Sequence, residues 1–232
     1  MDPDARYAIY FVPDATSALH RFGSAVLGYD CHSGDAVPCP DALDNIADWA
    51  GLTAEPRRYG FHATLKAPFR LASPHDEAAL LDAAERFARG THDVPVIAPA
   101  IRTLGAFIAI VPAEPVPALD ALAARCVTEF DAFRAPPSAQ ERARRLASGL
   151  SARETDNLDR WGYPYVFADF RFHMTLTGRV DRERRDAIAA TLTELFARAH
   201  GGGPIAIDRL AVVKQATPEA PFRVVRSLPL AR

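Results

Sequence analysis

The chain has 232 residues, 49% of them hydrophobic and 24% charged, with 27 Lys and Arg against 29 Asp and Glu and a formal net charge of −2. This composition excludes a disordered, collagen-like or membrane-spanning chain, and the length allows one large domain or two lobes sharing a groove, of which the element pattern below favours one bilobal domain over residues 1–232. With charges that nearly cancel, any affinity for a polyanion has to come from a local basic cluster, which disfavours a broad nucleic-acid-coating surface. Cys31, Cys39 and Cys126 are odd in number and irregular in spacing, which suits a reducing compartment. Residues 1–6 do not read as a signal peptide, so the expected location is the cytoplasm, with no membrane partner.

In chain order, Arg6 to Val12 is a β-rich run closed by Pro13 and predicts a buried strand. Asp14 or Thr16 is placed to cap a helix with Leu19, Phe22 and Val26 on its apolar face. A Gly, Asp and Pro loop over residues 28–40 precedes a short helix carrying Leu43 and Ile46. Tyr59 to Ala67 reads as a strand. Ser73-Pro74-His75-Asp76 reads as a helix start with Ser73 as cap, and that helix extends to about Arg89. Residues 94–111, broken near Gly105, read as a hairpin, and residues 116–133 as an amphipathic helix. Residues 138–160 are a charged helical insertion with a capping box from Ser151 to Glu154, expected to be solvated. Residues 166–177 read as a strand, Arg182 to His200 as a helix stopped by three glycines, and residues 205–215 and 222–228 as a closing pair of strands. The mixture is an α+β pattern.

One internal repeat stands out. Phe61-His62-Ala63-Thr64-Leu65 and Phe172-His173-Met174-Thr175-Leu176 share Phe-His-x-Thr-Leu, with copies centred in residues 57–71 and 167–180. Strand alternation puts His62, Thr64 and Lys66 on one face, and Arg171, His173 and Thr175 on one face of the second copy. Histidine exchanges protons near pH 7, threonine hydroxyls hydrogen-bond phosphate oxygens, and nearby Arg or Lys offsets phosphate charge. Two such strands facing one groove therefore suit acid/base chemistry at phosphorus, where the entering and leaving oxygens lie on opposite sides.

These two motifs resemble the two-histidine (2H) phosphoesterase superfamily. Together with Arg6 to Tyr10, Arg57 to Lys66, Trp161 to Tyr165 and Phe170 to Gly178, they are most similar to a bacterial branch associated with phosphonate metabolism. The resemblance implies a duplicated two-lobe α+β fold with two antiparallel sheets lining a central cleft. It implies metal-independent hydrolysis of a small cyclic phosphodiester, with His62 and His173 as acid and base and Thr64 and Thr175 as phosphate binders. The phosphonate setting suggests a ribose cyclic phosphate such as phosphoribosyl 1,2-cyclic phosphate. Tyr7, Tyr10, Tyr59, Lys66 and Arg171 are further candidates for the cleft wall, each with core packing or solvation as the competing reading.

Other classes fit less well. No metal or cofactor is expected, because Asp169 is the one acid sharing the strand face of His173 and a salt bridge accounts for it. Cys31, His32 and Cys39 lack a fourth ligand at zinc spacing. There is no Gly-x-Ser-x-Gly elbow and no Gly-x-x-x-x-Gly-Lys loop. His20, His32, His75, His92 and His200 are expected at the surface. The expected partner is a small phosphorylated substrate. An RNA 2′,3′-cyclic phosphodiester end, and a binding module without turnover, are the alternatives.

Overall fold

A computed structural model describes residues 4–231. Its centre is a seven-stranded antiparallel sheet in the order β4-β5-β6-β2-β1-β8-β9. The strands are β1 (Arg6–Phe11), β2 (Ala63–Phe69), β4 (Pro99–Leu104), β5 (Phe107–Pro112), β6 (Met174–Thr175), β8 (Arg209–Gln215) and β9 (Arg223–Pro229). A separate two-stranded ribbon pairs β3 (Val96–Ile97) with β7 (Ile205–Ala206). The chain is thus α+β as expected, but one continuous sheet stands where two were expected. Its two groups of strands, β4-β5-β6 and β2-β1-β8-β9, meet through the pair Ala63 and Met174.

The strand β1 lies between two neighbours and is buried on both faces, which is why it reads as an uninterrupted apolar run. Its odd positions, Tyr7, Ile9 and Phe11, join the main core under α1 (Ala18–Leu27), α4 (Glu77–Arg89), α5 (Pro117–Glu129) and α8 (Arg182–His200). Its even positions, Ala8 and Tyr10, face a smaller cluster with Tyr29, Cys31 and Phe222 on the opposite side of the sheet. Full burial of an aromatic such as Phe61 contributes about 1.5–3 kcal/mol, so the repeat is anchored by its apolar half. Gly23 of α1 makes that anchorage possible, since a Cβ there would sit 2.0 Å from the Phe61 ring.

Several boundaries differ from the sequence-based expectation. Ser17 caps α1 by accepting from the His20 amide, while Asp14 is tied to Thr16 and Arg209. Asp76 caps α4 in place of Ser73. The helix α3 (Trp49–Arg57) follows the four-residue turn of helix α2 (Asp41–Asp44). Most of residues 166–177 is not strand: a 3-10 turn covers Phe167–Asp169, and β6 is two residues long. Asp169 there pairs with Arg153 and accepts from Asn157, in keeping with the salt bridge preferred over a metal role. The charged insertion forms α6 (Ala139–Leu146) and α7 (Ala152–Trp161), each opened by a complete capping box. Bidentate Arg142–Asp159 joins the two helices, and bidentate Arg70–Glu141 fastens α6 to the end of β2. Among the described residues no helix is long and apolar enough to cross a membrane.

Candidate functional site

The pairing of β2 with β6 decides the geometry. Ala63 and Met174 occupy the same position of the Phe-His-x-Thr-Leu repeat and lie opposite each other in antiparallel register. His62 immediately precedes β2 and His173 immediately precedes β6, so this pair brings the two histidines close enough for the charge of one to act on the other. His62, Thr64, His173 and Thr175 all line one cleft of 420 Å³, which continues into a wider groove along Phe107, Tyr163 and His173.

Both imidazoles are held in the same way. His62 Nδ1 lies 2.8 Å from the Gly60 carbonyl, and His173 Nδ1 lies 2.8 Å from the Arg171 carbonyl. A carbonyl only accepts, so Nδ1 carries the proton in the neutral ring and Nε2 is the free base. In His62 that Nε2 is 3.2 Å from the Thr64 hydroxyl, which donates to it. Burial pushes His62 down to about 4; the Gly60 hydrogen bond opposes this, and the like charge of His173 adds to it. Burial also lowers His173, against the hydrogen bond to Arg171. Both rings are therefore neutral at pH 7 in the free protein, and a proton on one disfavours a proton on the other.

The neighbouring strands supply an aromatic to each histidine. Tyr10 of β1 stacks on His62 at 3.8 Å between ring centroids, and Phe107 of β5 sits 5.5 Å from His173. Tyr59 lines the same cleft, 6.2 Å from His62, and stacks on Phe222. Of the other expected wall residues, Tyr7 and Lys66 are elsewhere. Alternation sends Tyr7 to the helical face, where its hydroxyl donates to Glu77 at 2.8 Å. In β2, Tyr10 pairs with Thr64 but Ile9 pairs with Lys66, so Leu65 is an extra residue and the alternation inverts. Lys66 is consequently buried on the α5 side, where Nζ donates to the Val127 carbonyl and pairs with Asp131 at 3.1 Å. Arg171 is exposed beside the outer groove, and it is its backbone carbonyl that meets His173.

Several other cleft residues lie outside the candidate set read from the sequence, although Arg6 and Tyr163 fall in the segments that carry the resemblance and Arg179 flanks the second motif. Arg6, Phe107, Arg145, Tyr163 and Arg179 line the histidine cleft, with the Arg145 guanidinium 5.0 Å over the Tyr163 ring. The charged insertion is thus a wall of the cleft and not merely a solvated surface. Its one available signal is that arginines outnumber acids at the C-terminal end of α6. His20, expected at the surface, is a buried residue of α1, with Nε2 near Asp30 and Ser24. Among the described residues no group of three or more His, Cys, Asp or Glu is placed to hold a metal ion.

Residues 64–223 match the family described as "Protein of unknown function (DUF1045)". The chain belongs to this family. Among curated proteins it is 40% identical over 225 residues to "Ribose 1,5-bisphosphate phosphokinase PhnN" of Janthinobacterium sp. (strain Marseille), covering 94% of the chain and 49% of that protein. It is 37% identical to the protein of the same name from Laribacter hongkongensis (strain HLHK9), covering 95% of the chain and 51% of that protein. The DUF1045 chain therefore spans about half the length of these relatives. A solved structure of a conserved protein of unknown function from Agrobacterium tumefaciens aligns with a TM-score of 0.45 at 12% identity, over 96% of the chain and 85% of that structure, too slight a likeness to carry an argument.

The relatives' name corrects the expected activity. Both are named as a phosphokinase, which conflicts with the hydrolytic cyclic phosphodiesterase expected from the two motifs, and the RNA-end and binding-module alternatives gain no support.

Proposed function

We propose that this DUF1045 chain is an enzyme acting on a phosphorylated ribose, with phosphoryl-group chemistry assisted by proton transfer at His62 and His173. The observation that carries this reading is the matched setting of the two imidazoles. Each has Nδ1–H spent on a carbonyl two residues upstream, which leaves Nε2 to the ligand once the Thr64 hydroxyl turns from His62 to a phosphate oxygen. In this reading one Nε2 takes the proton of an attacking hydroxyl as its oxygen bonds to phosphorus. The other Nε2–H returns a proton to the oxygen whose P–O bond breaks. Thr64 and Thr175 donate to the remaining phosphate oxygens, and the anion raises the imidazole pKa values so that one ring enters as the acid.

The ribose comes from the curated relatives' name, and the phosphonate setting implied by the resemblance belongs to the same proposal. Because the chain has no Gly-x-x-x-x-Gly-Lys loop and spans half of those relatives, its share of the chemistry is the pentose phosphate and not the nucleotide. The shared motif, the matched histidine settings and the Ala63–Met174 pairing support a duplication relating the two strand groups.

Imidazole NMR titration with ribose 1,5-bisphosphate, followed by phosphorus NMR with and without ATP, tests the reading. Binding should raise both histidine pKa values, and a new phosphorus species should form. His62→Asn and His173→Asn should each slow its formation about 10²–10⁴-fold. Unmoved imidazole resonances, or full activity in either variant, would overturn the acid/base assignment.

A further inference from the structure

Beside the histidine cleft, and sharing Arg6, Pro68 and Arg145 with it, is a smaller pocket of 60 Å³. That is room for one tetrahedral anion. Arginines from four parts of the chain converge on it: Arg6 from β1, Arg70 from just beyond β2, Arg134 from the loop after α5, and Arg144 with Arg145 from the last turn of α6.

Their partners divide them into two sets. Arg70 is satisfied by Glu141, and Arg134 by Asp131 and the Arg160 carbonyl. These two hold the wall together. Arg6 donates to the neutral amide of Gln215 and lies over the Phe222 ring, and Arg145 lies over the Tyr163 ring. Among the described residues no ion pair joins Arg6, Arg144 or Arg145 to a carboxylate. The one acid lining the pocket, Glu141, has both carboxylate oxygens committed to Arg70. Among the described residues the lining of the pocket therefore carries more positive than negative charge. Guanidinium groups match phosphate oxygens as paired donors better than any other side chain.

We propose that this pocket is a second phosphate subsite, so that the substrate is a pentose carrying two phosphates. One sits between the His-Thr pairs, and the other is held by Arg6, Arg144 and Arg145. The inference rests on the reading of the histidine cleft as a phosphate site and adds the class of ligand it selects. The continuity through Arg6 and Arg145 fits a single molecule lying across both spaces. It also gives the charged insertion a role, because α6 carries Arg144 and Arg145 to the cleft while the Arg70–Glu141 and Arg142–Asp159 pairs fix where they point.

Calorimetric titration of the full chain with ribose 5-phosphate and with ribose 1,5-bisphosphate tests it, at fixed salt. The bisphosphate should bind about tenfold or more tightly than the monophosphate, because one further charged contact is made. In Arg144→Ala that preference should shrink, and in the Arg144→Ala, Arg145→Ala double variant it should vanish, since each ligand then has one phosphate subsite to use. Arg144 is exposed and bonds nothing else among the described residues, so its removal should leave the melting temperature unchanged, which scanning calorimetry checks. Equal binding of the two sugars by the unaltered protein, or a preference that survives in both Arg144→Ala and the Arg144→Ala, Arg145→Ala double variant, would overturn the subsite alone. Failure of the unaltered protein to bind either sugar would overturn the subsite and the underlying reading together.

Discussion

At the scale of single residues, the site depends on two main-chain carbonyls. The Gly60 carbonyl fixes the His62 tautomer, and Gly60 itself sits at φ +72° against Cys31, where a Cβ would come within 2.5 Å of the Cys31 Cβ. Gly60→Ala should therefore cost about 1–3 kcal/mol and reduce turnover by shifting the carbonyl. Gly201→Ala is the control: it has the same φ of +72° but no atom within 4 Å, so it should carry only the backbone cost of about 1–2 kcal/mol and spare turnover. Urea denaturation and turnover of the two variants check this together. The lowered histidines also tie stability to pH. His62 falls from an ordinary value of 6.5 to about 4 on folding, so between those values the unfolded chain binds more protons than the folded one. Stability should hold above pH 6.5 and decline as the pH falls toward 4, with His173 acting in the same direction. Melting temperatures across that window should fall less steeply in His62→Asn; identical slopes would show that His62 is not buried neutral.

At the scale of elements, one inserted residue in β2 separates the cleft from the core. Had the strand run regularly, Lys66 would share the face of His62 and Thr64. The bulge at Leu65 turns it inward to Asp131, where burial lowers its pKa while Asp131 raises it. Lys66→Ala should cost about 2–4 kcal/mol in urea denaturation, because Asp131 is left half-buried with one fewer partner and a void opens beneath α5. Since Lys66 does not face the cleft, phosphate affinity of the folded protein should be unaltered; a selective loss of affinity would return Lys66 to the site. The strand β6 shows the complementary lesson. Its sequence looks like a full strand, yet two residues pair, because Phe170 to His173 follow a 3-10 turn whose Asp169 is drawn to Arg153 and Asn157 on α7.

At the scale of the whole molecule, helices cover one face of the sheet and leave part of the other face open, so the cleft forms where the two strand groups meet. The insertion closes one side of it through surface ion pairs that contribute little to stability individually. Glu141→Ala should accordingly lower the unfolding free energy by about 1 kcal/mol or less, beyond the loss of its cap. Binding of ribose 1,5-bisphosphate should weaken about tenfold, because α6 loses its tie to Arg70 and Arg144 and Arg145 lose their aim. Calorimetric titration separates this from a mere charge effect, since removing an acid beside a phosphate subsite would otherwise strengthen binding.

The repeated Phe-His-x-Thr-Leu, the α+β class and most of the helices are legible in the sequence, because they follow from local periodicity and residue chemistry; both histidines, expected within strands, lie just before them. Tyr10 and Tyr59 line the cleft, whereas Tyr7 and Lys66 do not, and local pattern alone does not distinguish the two pairs. What the tertiary structure decided is the relation between distant segments: the opposition of Ala63 and Met174, the single sheet, and the arrival of Arg6, Phe107 and Arg145 at the histidines. Strand pairing and helix docking are set by which apolar faces can be buried together over the whole chain, and no local window contains that information.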